Sequence, residues 1–227
     1  ISASKAKQIS DELQKIFGIR EAMLALQKFG IPAEQTVKAW KLWGNKTVEL
    51  VDENPYILCT NGLNIPFEVA DAIAVEQEKP HDNQCRIRAG FVHILEHNQN
   101  NGHTCLPMDR LLEACTSFLA VPVDLAKDVL NDMLTEGSLI VDIVREKEFI
   151  FLPELHTSES YIAARLSMLM HFPAQEIDGI DNDITKIETE NEINYADQQK
   201  LAIKEALTKG LLVLTGGPGT GKTTTLN

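Results

Sequence analysis

The chain has 227 residues, with 33 acidic against 21 basic side chains and a formal net charge of −12. That balance argues against a broad phosphate-binding face, because attraction to a nucleic-acid backbone depends on clustered Lys and Arg. No stretch is apolar over the length a membrane span needs, and Cys59, Cys85, Cys105 and Cys115 form no C-x-x-C pair; a disulfide scaffold or thiolate metal site is set aside, and a reducing cytoplasm is expected.

Residues 1–79 predict an array of short helices. Ile9, Leu13, Ile16 and Phe17 follow helical spacing, as do Ala22, Leu24, Ala25, Leu26 and Phe29. Gly18, Gly30-Ile31-Pro32, Gly44-Asn45, Asn54-Pro55 and Asn61-Gly62 punctuate them. Trp40 and Trp43 lie near Lys38, Lys41 and Lys46. Such interleaving can stack on single-stranded bases, although aromatics at helical spacing pack more often into a core.

Residues 80–155 change character after the linker Lys79-Pro80-His81-Asp82-Asn83. Helices are expected from Cys85 to His97, Asp109 to Ala114 and Val123 to Glu136, with Gly137 a C-cap candidate. Strand-like runs follow at Ser138–Val141 and Phe149–Leu152, joined by Arg145-Glu146-Lys147-Glu148. Three helices ending in a β-hairpin predict a winged helix. Its tip alternates Arg145 and Lys147 with Glu146 and Glu148, a poor groove reader and a better protein contact. His93-Ile94-Leu95-Glu96-His97 matches H-x-x-E-H; the competing reading is a solvated polar face opposite Phe91, Ile94 and Leu95.

Residues 156–193 predict a connecting helix, Ser158 to His171, with Leu166, Met168, Leu169 and Met170 as core. Gln175 to Glu192 is acidic and apolar-poor, the composition of a mobile linker or exposed loop.

Residues 194–227 predict a helix at Ala196 to Lys209, a strand at Leu211-Leu212-Val213-Leu214-Thr215 and a loop, Gly216-Gly217-Pro218-Gly219-Thr220-Gly221-Lys222-Thr223, entering a second helix through Thr224. The loop fits G-x-x-x-x-G-K-[ST] in its expected strand–loop–helix setting, a phosphate cradle. Its glycines reach backbone angles that let successive N–H groups face one anion. In that pattern Lys222 reaches the β- and γ-phosphates of ATP and the Thr223 hydroxyl ligates Mg²⁺.

Tyr195-Ala196-Asp197-Gln198-Gln199-Lys200-Leu201-Ala202-Ile203, followed by Leu214 through Thr225, resembles the start of the motor of RecD-like superfamily 1 DNA helicases. Upstream, Asp52-Glu53-Asn54-Pro55-Tyr56-Ile57-Leu58, Ala70-Asp71-Ala72-Ile73-Ala74, Arg88-Ala89-Gly90 and Gly102-His103-Thr104-Cys105-Leu106-Pro107 resemble the N-terminal extension of the stand-alone members. The resemblance implies a mainly α fold: a helix-hairpin-helix array, the winged-helix-like α+β domain, and the start of a RecA-like α/β domain. It implies ATP-driven 5′-to-3′ translocation on single-stranded DNA with unwinding of fork-like duplex, in repair or recombination, and a glutamine that contacts adenine. Gln199 matches that glutamine best, with Gln198 the alternative.

The hairpin turns depart from that family. Ile1-Ser2-Ala3-Ser4-Lys5, Gly30-Ile31-Pro32-Ala33-Glu34 and Asn64-Ile65-Pro66-Phe67-Glu68 lack the glycine pair that brings N–H donors to a phosphate. Pro32 and Pro66 have no N–H, and Glu34 and Glu68 repel anions. The hairpins are therefore expected to act as scaffold and to offer contacts to protein partners, with Lys5, Lys41 and Trp43 as the weak DNA candidates. The second metal-binding carboxylate and arginine finger of phosphoryl transfer are not found within these residues, so the chain by itself is expected to be inactive. An adaptor with a regulatory or vestigial P-loop is the alternative function.

Overall fold

The computed structural model describes residues 3–60, 62–171 and 177–226. Ile1 and Ser2 of the first turn, Asn61 of the Asn61-Gly62 turn, Gln175 and Glu176 of the acidic stretch, Asn227 and the side chain of Ile9 lie outside the described residues. The chain divides into two compact units, Ile1–His156 and Thr157–Asn227. As expected it is mainly helical, with a single small antiparallel sheet among the described residues.

The first unit begins with helices α1 (Ala3–Gln27), α2 (Ala33–Trp43), α3 (Thr47–Glu53) and α4 (Phe67–Glu76), with a 3₁₀ turn at Pro55–Cys59. The expected break at Gly18 does not occur, and α1 runs through it. An interior glycine costs a helix about 1 kcal/mol, and here it permits a close approach, since a Cβ on Gly18 would lie 3.1 Å from Trp40 Nε1. The turn proposed around Lys5 is likewise helical, with Ala3, Ser4 and Lys5 inside α1.

The unit continues with α5 (Gln84–Asn100), β1 (Cys105–Pro107), α6 (Met108–Leu119), α7 (Val123–Thr135), β2 (Ile140–Val144) and β3 (Lys147–Phe151). The strands pair antiparallel in the order β1-β3-β2, with Leu106 opposite Ile150 and Val141 opposite Ile150 on the other side. Helix, strand, two helices and hairpin, with the first strand returning to the hairpin, is the winged-helix order. The strand β1 was not anticipated, being only three residues and containing a proline. The hairpin turn is also tighter than its charged run implied: Val144 pairs with Lys147, leaving only Arg145 and Glu146, at φ 51° and 65°. This is the mirror-image two-residue turn that matches strand twist, built here without glycine. Gly137, at φ 76°, follows α7 as expected, with Ser138 N–H donating to Met133 O at 2.9 Å.

One local rule starts four of these helices. Ile31-Pro32-Ala33-Glu34, Ile65-Pro66-Phe67-Glu68, Leu106-Pro107-Met108-Asp109 and Val121-Pro122-Val123-Asp124 open α2, α4, α6 and α7. Each proline is the N-cap, with φ between −61° and −56° and no side-chain capping bond. The fixed proline angle sets the chain direction, the acid lies in the first turn where the helix dipole is positive, and Ile31, Ile65 and Val121 are buried.

Two clusters fill the unit. Leu26, Ile31, Ala39, Val51, Leu58, Leu63, Ile65 and Ile73 form one. The larger joins Tyr56, Phe67, Ala70 and Ala74 to Ile87, Phe91, Leu111, Leu130 and Ile150, so the helical array and the sheet-bearing part share a core. Gly90 permits the contact of α5 with α6, since a Cβ there would meet Leu119 Cδ1 at 2.7 Å.

At the edge of this core lies an ion pair. Arg86 donates from Nε to Asp71 Oδ1 (2.8 Å) and from Nη2 to Asp71 Oδ2 (3.2 Å), while its Nη1 donates to Leu119 O (2.9 Å) and His81 O (3.2 Å). Tyr56 Oη–H donates to Asp71 Oδ1 at 2.6 Å. Burial alone would raise the Asp71 carboxyl, but the hydrogen bonds from Arg86 and Tyr56 and the Arg86 charge outweigh it and hold the group below the ordinary range.

Helix α8 (Pro153–His171) runs across the division between the units. The expectation that Leu166, Met168, Leu169 and Met170 are core is not met: α8 has no buried residue and Met170 is 68% exposed. The apolar residues of α8 are spread around the helix with little amphipathic bias, so no single stripe is available to seat against a neighbour.

The second unit holds α9 (Ile180–Glu190), α10 (Asp197–Thr208) and α11 (Lys222–Leu226). From Ile180 to Glu190 the acidic stretch is thus a helix, not a loop. Ile180, Ile184 and Ile187 recur at helical spacing, Ile184 is buried, and Asp181 and Asp183 lie in the first turn, where the dipole favours acids. The expected strand at residues 211–215 is also absent. Among the described residues no other strand lies beside it to complete a ladder, and Val213 remains 77% exposed.

Removing one member of a largely buried ion pair strands the other. Arg86→Ala should therefore cost roughly 3 kcal/mol in urea unfolding at pH 7. Because the folded carboxyl is depressed, the contribution is full above the ordinary aspartate value of about 4 and is lost as pH falls through the folded value. The wild-type and Arg86→Ala stability curves should converge in acid.

Candidate functional site

The loop Gly216–Thr223 follows the unpaired segment 211–215 and runs into α11. Gly219 and Gly221 take φ of 77° and 78°, angles costly for any residue with a Cβ. The Thr220 hydroxyl donates to Gly217 O (2.9 Å) and Thr225 donates through both N–H and hydroxyl to Gly221 O (3.0 Å each), fixing the turn and the start of α11. Lys222 Nζ donates to Gly216 O (2.6 Å) and Gly217 O (2.8 Å), so the ammonium is drawn onto the loop's own carbonyls. Pro218 is at the exposed turn, and Thr223 and Thr224 are exposed on α11.

Gln199 reaches the loop from α10. Its Oε1 accepts from Ala196 N–H (2.8 Å), which orients the amide, and its Nε2 donates to Gly221 O (3.4 Å). A Cβ on Gly221 would collide with that amide. Gln198 is exposed. Tyr195 hydroxyl donates to Thr224 O at 3.5 Å.

Sequence reasoning missed the support behind Gln199. Glu188, on α9, accepts from Tyr195 N–H (2.7 Å) and from Lys200 Nζ (2.8 Å), and its side chain is 10% exposed. The hydrogen bond from Lys200, then that from the Tyr195 backbone, holds its carboxyl below the ordinary range. Lys204 Nζ meets Asp181 at 2.6 Å. The isoleucine spacing of α9 was the available signal, hidden by the acidic composition.

The remaining candidates belong to the first unit. Lys5 is exposed on α1 and Lys41 on α2, whereas Trp43 is half-buried against the cluster of Leu26, Ile31 and Val51. His93 is packed between Phe67 and Phe118, with centroids 5.4 and 5.3 Å away. Among the described residues, no group of three or more His, Cys, Asp or Glu side chains converges to hold a metal, and no helix is long and apolar enough to cross a membrane. A cavity of about 590 Å³ is lined by Cys59, Cys85, Arg88, His93 and Glu96 among others. Burial, with Glu96, Glu68 and Asp71 nearby, pushes the Cys59 thiol up to about 12, so it is no nucleophile at neutral pH.

Residues 15–105 match the ATP-dependent RecD2 DNA helicase HHH domain, and residues 199–227 match an AAA domain. The ATP-dependent RecD2 DNA helicase of Deinococcus radiodurans is 26% identical over 219 residues, covering 92% of this chain. The chain is thus similar in sequence to a RecD2 helicase. It spans 30% of the length of that relative. The RecD2-type match runs from α1 through α5 into β1, and the second begins at Gln199 and takes in the whole P-loop.

Alanine at Gly221 combines left-handed strain of about 1–3 kcal/mol with the collision against Gln199. Gly221→Ala should speed amide exchange at Thr225, measured by hydrogen exchange with mass spectrometry. Gly217→Ala, where a Cβ would meet nothing within 4 Å, should leave that amide unchanged.

Proposed function

We propose that this chain is the N-terminal region of an ATP-dependent DNA helicase that moves 5′-to-3′ along single-stranded DNA and opens fork-like duplex, in repair or recombination in the cytoplasm. The observation that carries the reading is the loop itself. Gly216–Thr223 has its cation, its positive-φ glycines and Gln199 docked at one edge, in a RecD-like chain. The donor set fits a nucleoside triphosphate: Lys222 would exchange two backbone carbonyls for phosphate oxygens, Thr223 would hold Mg²⁺, and Gln199 would read the adenine edge.

The helical array acts as scaffold in this reading. Ile31 N–H donates to Leu26 O (3.4 Å) and Ile65 N–H to Leu58 O (3.2 Å), so these turn donors are spent inside the protein. Prolines at the next position supply none. Trp43 contributes to packing, and protein partners would meet the outer faces of the first unit. The positive charge that tracks DNA then lies elsewhere in the motor.

A protein carrying this region ahead of a complete motor should hydrolyse ATP in a DNA-stimulated manner and unwind a forked duplex with a 5′ tail, but not one with only a 3′ tail. Lys222→Ala should lower turnover by at least about 100-fold, since it removes a charge aimed at the transferring phosphoryl group. The 227 residues alone should show no turnover. Unwinding from a 3′ tail, or full activity in Lys222→Ala, would contradict the assignment.

A further inference from the structure

We propose that Tyr195 supplies a stacking face for the base of the bound nucleotide and that Glu188, on the acidic helix α9, is the positioning residue that holds it there. This rests on the nucleotide reading of the loop.

Two contacts reach one edge of the loop and the start of α11, and a third anchors the residue that makes one of them. Tyr195 is half-buried, its backbone N–H fixed by Glu188 Oε1 at 2.7 Å and its hydroxyl reaching Thr224 O at 3.5 Å. The ring therefore bridges the start of α10 to α11. Four residues on, Gln199 places its amide against Gly221 O. A base whose polar edge meets Gln199 is then taken on the phenol ring, since a flat aromatic surface is what a purine stacks on.

Glu188 is built to position. Its two oxygens are divided between Tyr195 N–H and the Lys200 ammonium, so one carboxylate ties the approach to α10 to the first turn of α10 itself. One turn further along α10, Lys204 pairs with Asp181 at the other end of α9. Ile184 and Ala202 are buried in the same unit. The acidic helix is in this way a brace for the base-reading edge.

The test uses the full 227-residue chain and two probes, ATP and inorganic tripolyphosphate, each competing against a fluorescent ATP analogue. Tripolyphosphate engages the loop without a base, so it reports whether a variant keeps the loop intact. Tyr195→Ala should weaken ATP about 10-fold or more, the equivalent of one stacked base, and leave tripolyphosphate unchanged. Tyr195→Phe keeps the ring and should bind ATP within about 2-fold of wild type, the scatter expected when stacking is retained. Glu188→Ala should weaken ATP and spare tripolyphosphate, and Glu188→Gln, which keeps an acceptor for Tyr195, should lie between. If Tyr195→Ala and Glu188→Ala leave ATP binding unmoved, or weaken both probes equally, while Lys222→Ala abolishes binding of both, the stacking proposal is overturned and the nucleotide reading stands. If the wild-type chain binds neither probe, or Lys222→Ala changes nothing, the nucleotide reading fails and takes the proposal with it.

Discussion

The first unit depends on a charge that has left water. Arg86 places its guanidinium among Asp71, the carbonyl of Leu119 and the carbonyl of His81, with Tyr56 completing the carboxylate. A buried ion pair is tolerated only when the remaining donors and acceptors are met, and here they come from four separate stretches of chain. The 3₁₀ turn, α4, α5 and the end of α6 must therefore come together at once. Leu119, whose carbonyl takes one of these bonds, also packs on Gly90, so the polar anchor and the close α5–α6 contact specify the same arrangement. The shared core of Tyr56, Phe67, Ile87 and Phe91 follows from it.

The second unit uses the same device more lightly. Glu188 joins α9 to α10 through Lys200 and orders the entry to α10 through Tyr195. Gln199 is carried on that ordered first turn and touches Gly221, whose φ of 78° admits little but glycine. An acidic helix, a glutamine and a glycine-rich turn thus form one chain of contacts ending at the loop Gly216–Thr223. The acidity of the protein is partly explained by such roles, since Glu34, Glu68, Asp109 and Asp124 all serve helix starts after a proline.

Much of this was legible in the residues. The glycine-rich turn and the glutamine that meets it are local patterns, and local patterns survive without knowledge of tertiary contacts. The winged-helix hairpin was visible as two apolar runs around a charged turn. What was misread was set by neighbours distant in sequence. Gly18 looked like a break because its partner Trp40 is twenty-two residues away. The acidic stretch looked like a loop because composition outweighed three isoleucines at helical spacing. The run 211–215 looked like a strand because it is apolar, yet a strand exists only when another pairs with it. Leu166, Met168, Leu169 and Met170 of α8 looked like core on the same composition argument, yet none of them is buried among the described residues.

The most direct test of the account is where a nucleotide base comes to rest. Irradiating the full chain with 8-azido-ATP and mapping the labelled peptides places the base by chemistry rather than by inference. The account predicts labelling within the segment around Tyr195 and Gln199, suppressed by excess ATP and lost in Lys222→Ala. Labelling confined to the cavity lined by Cys59 and Glu96, or labelling of Tyr195 that persists unchanged in Lys222→Ala, would contradict it.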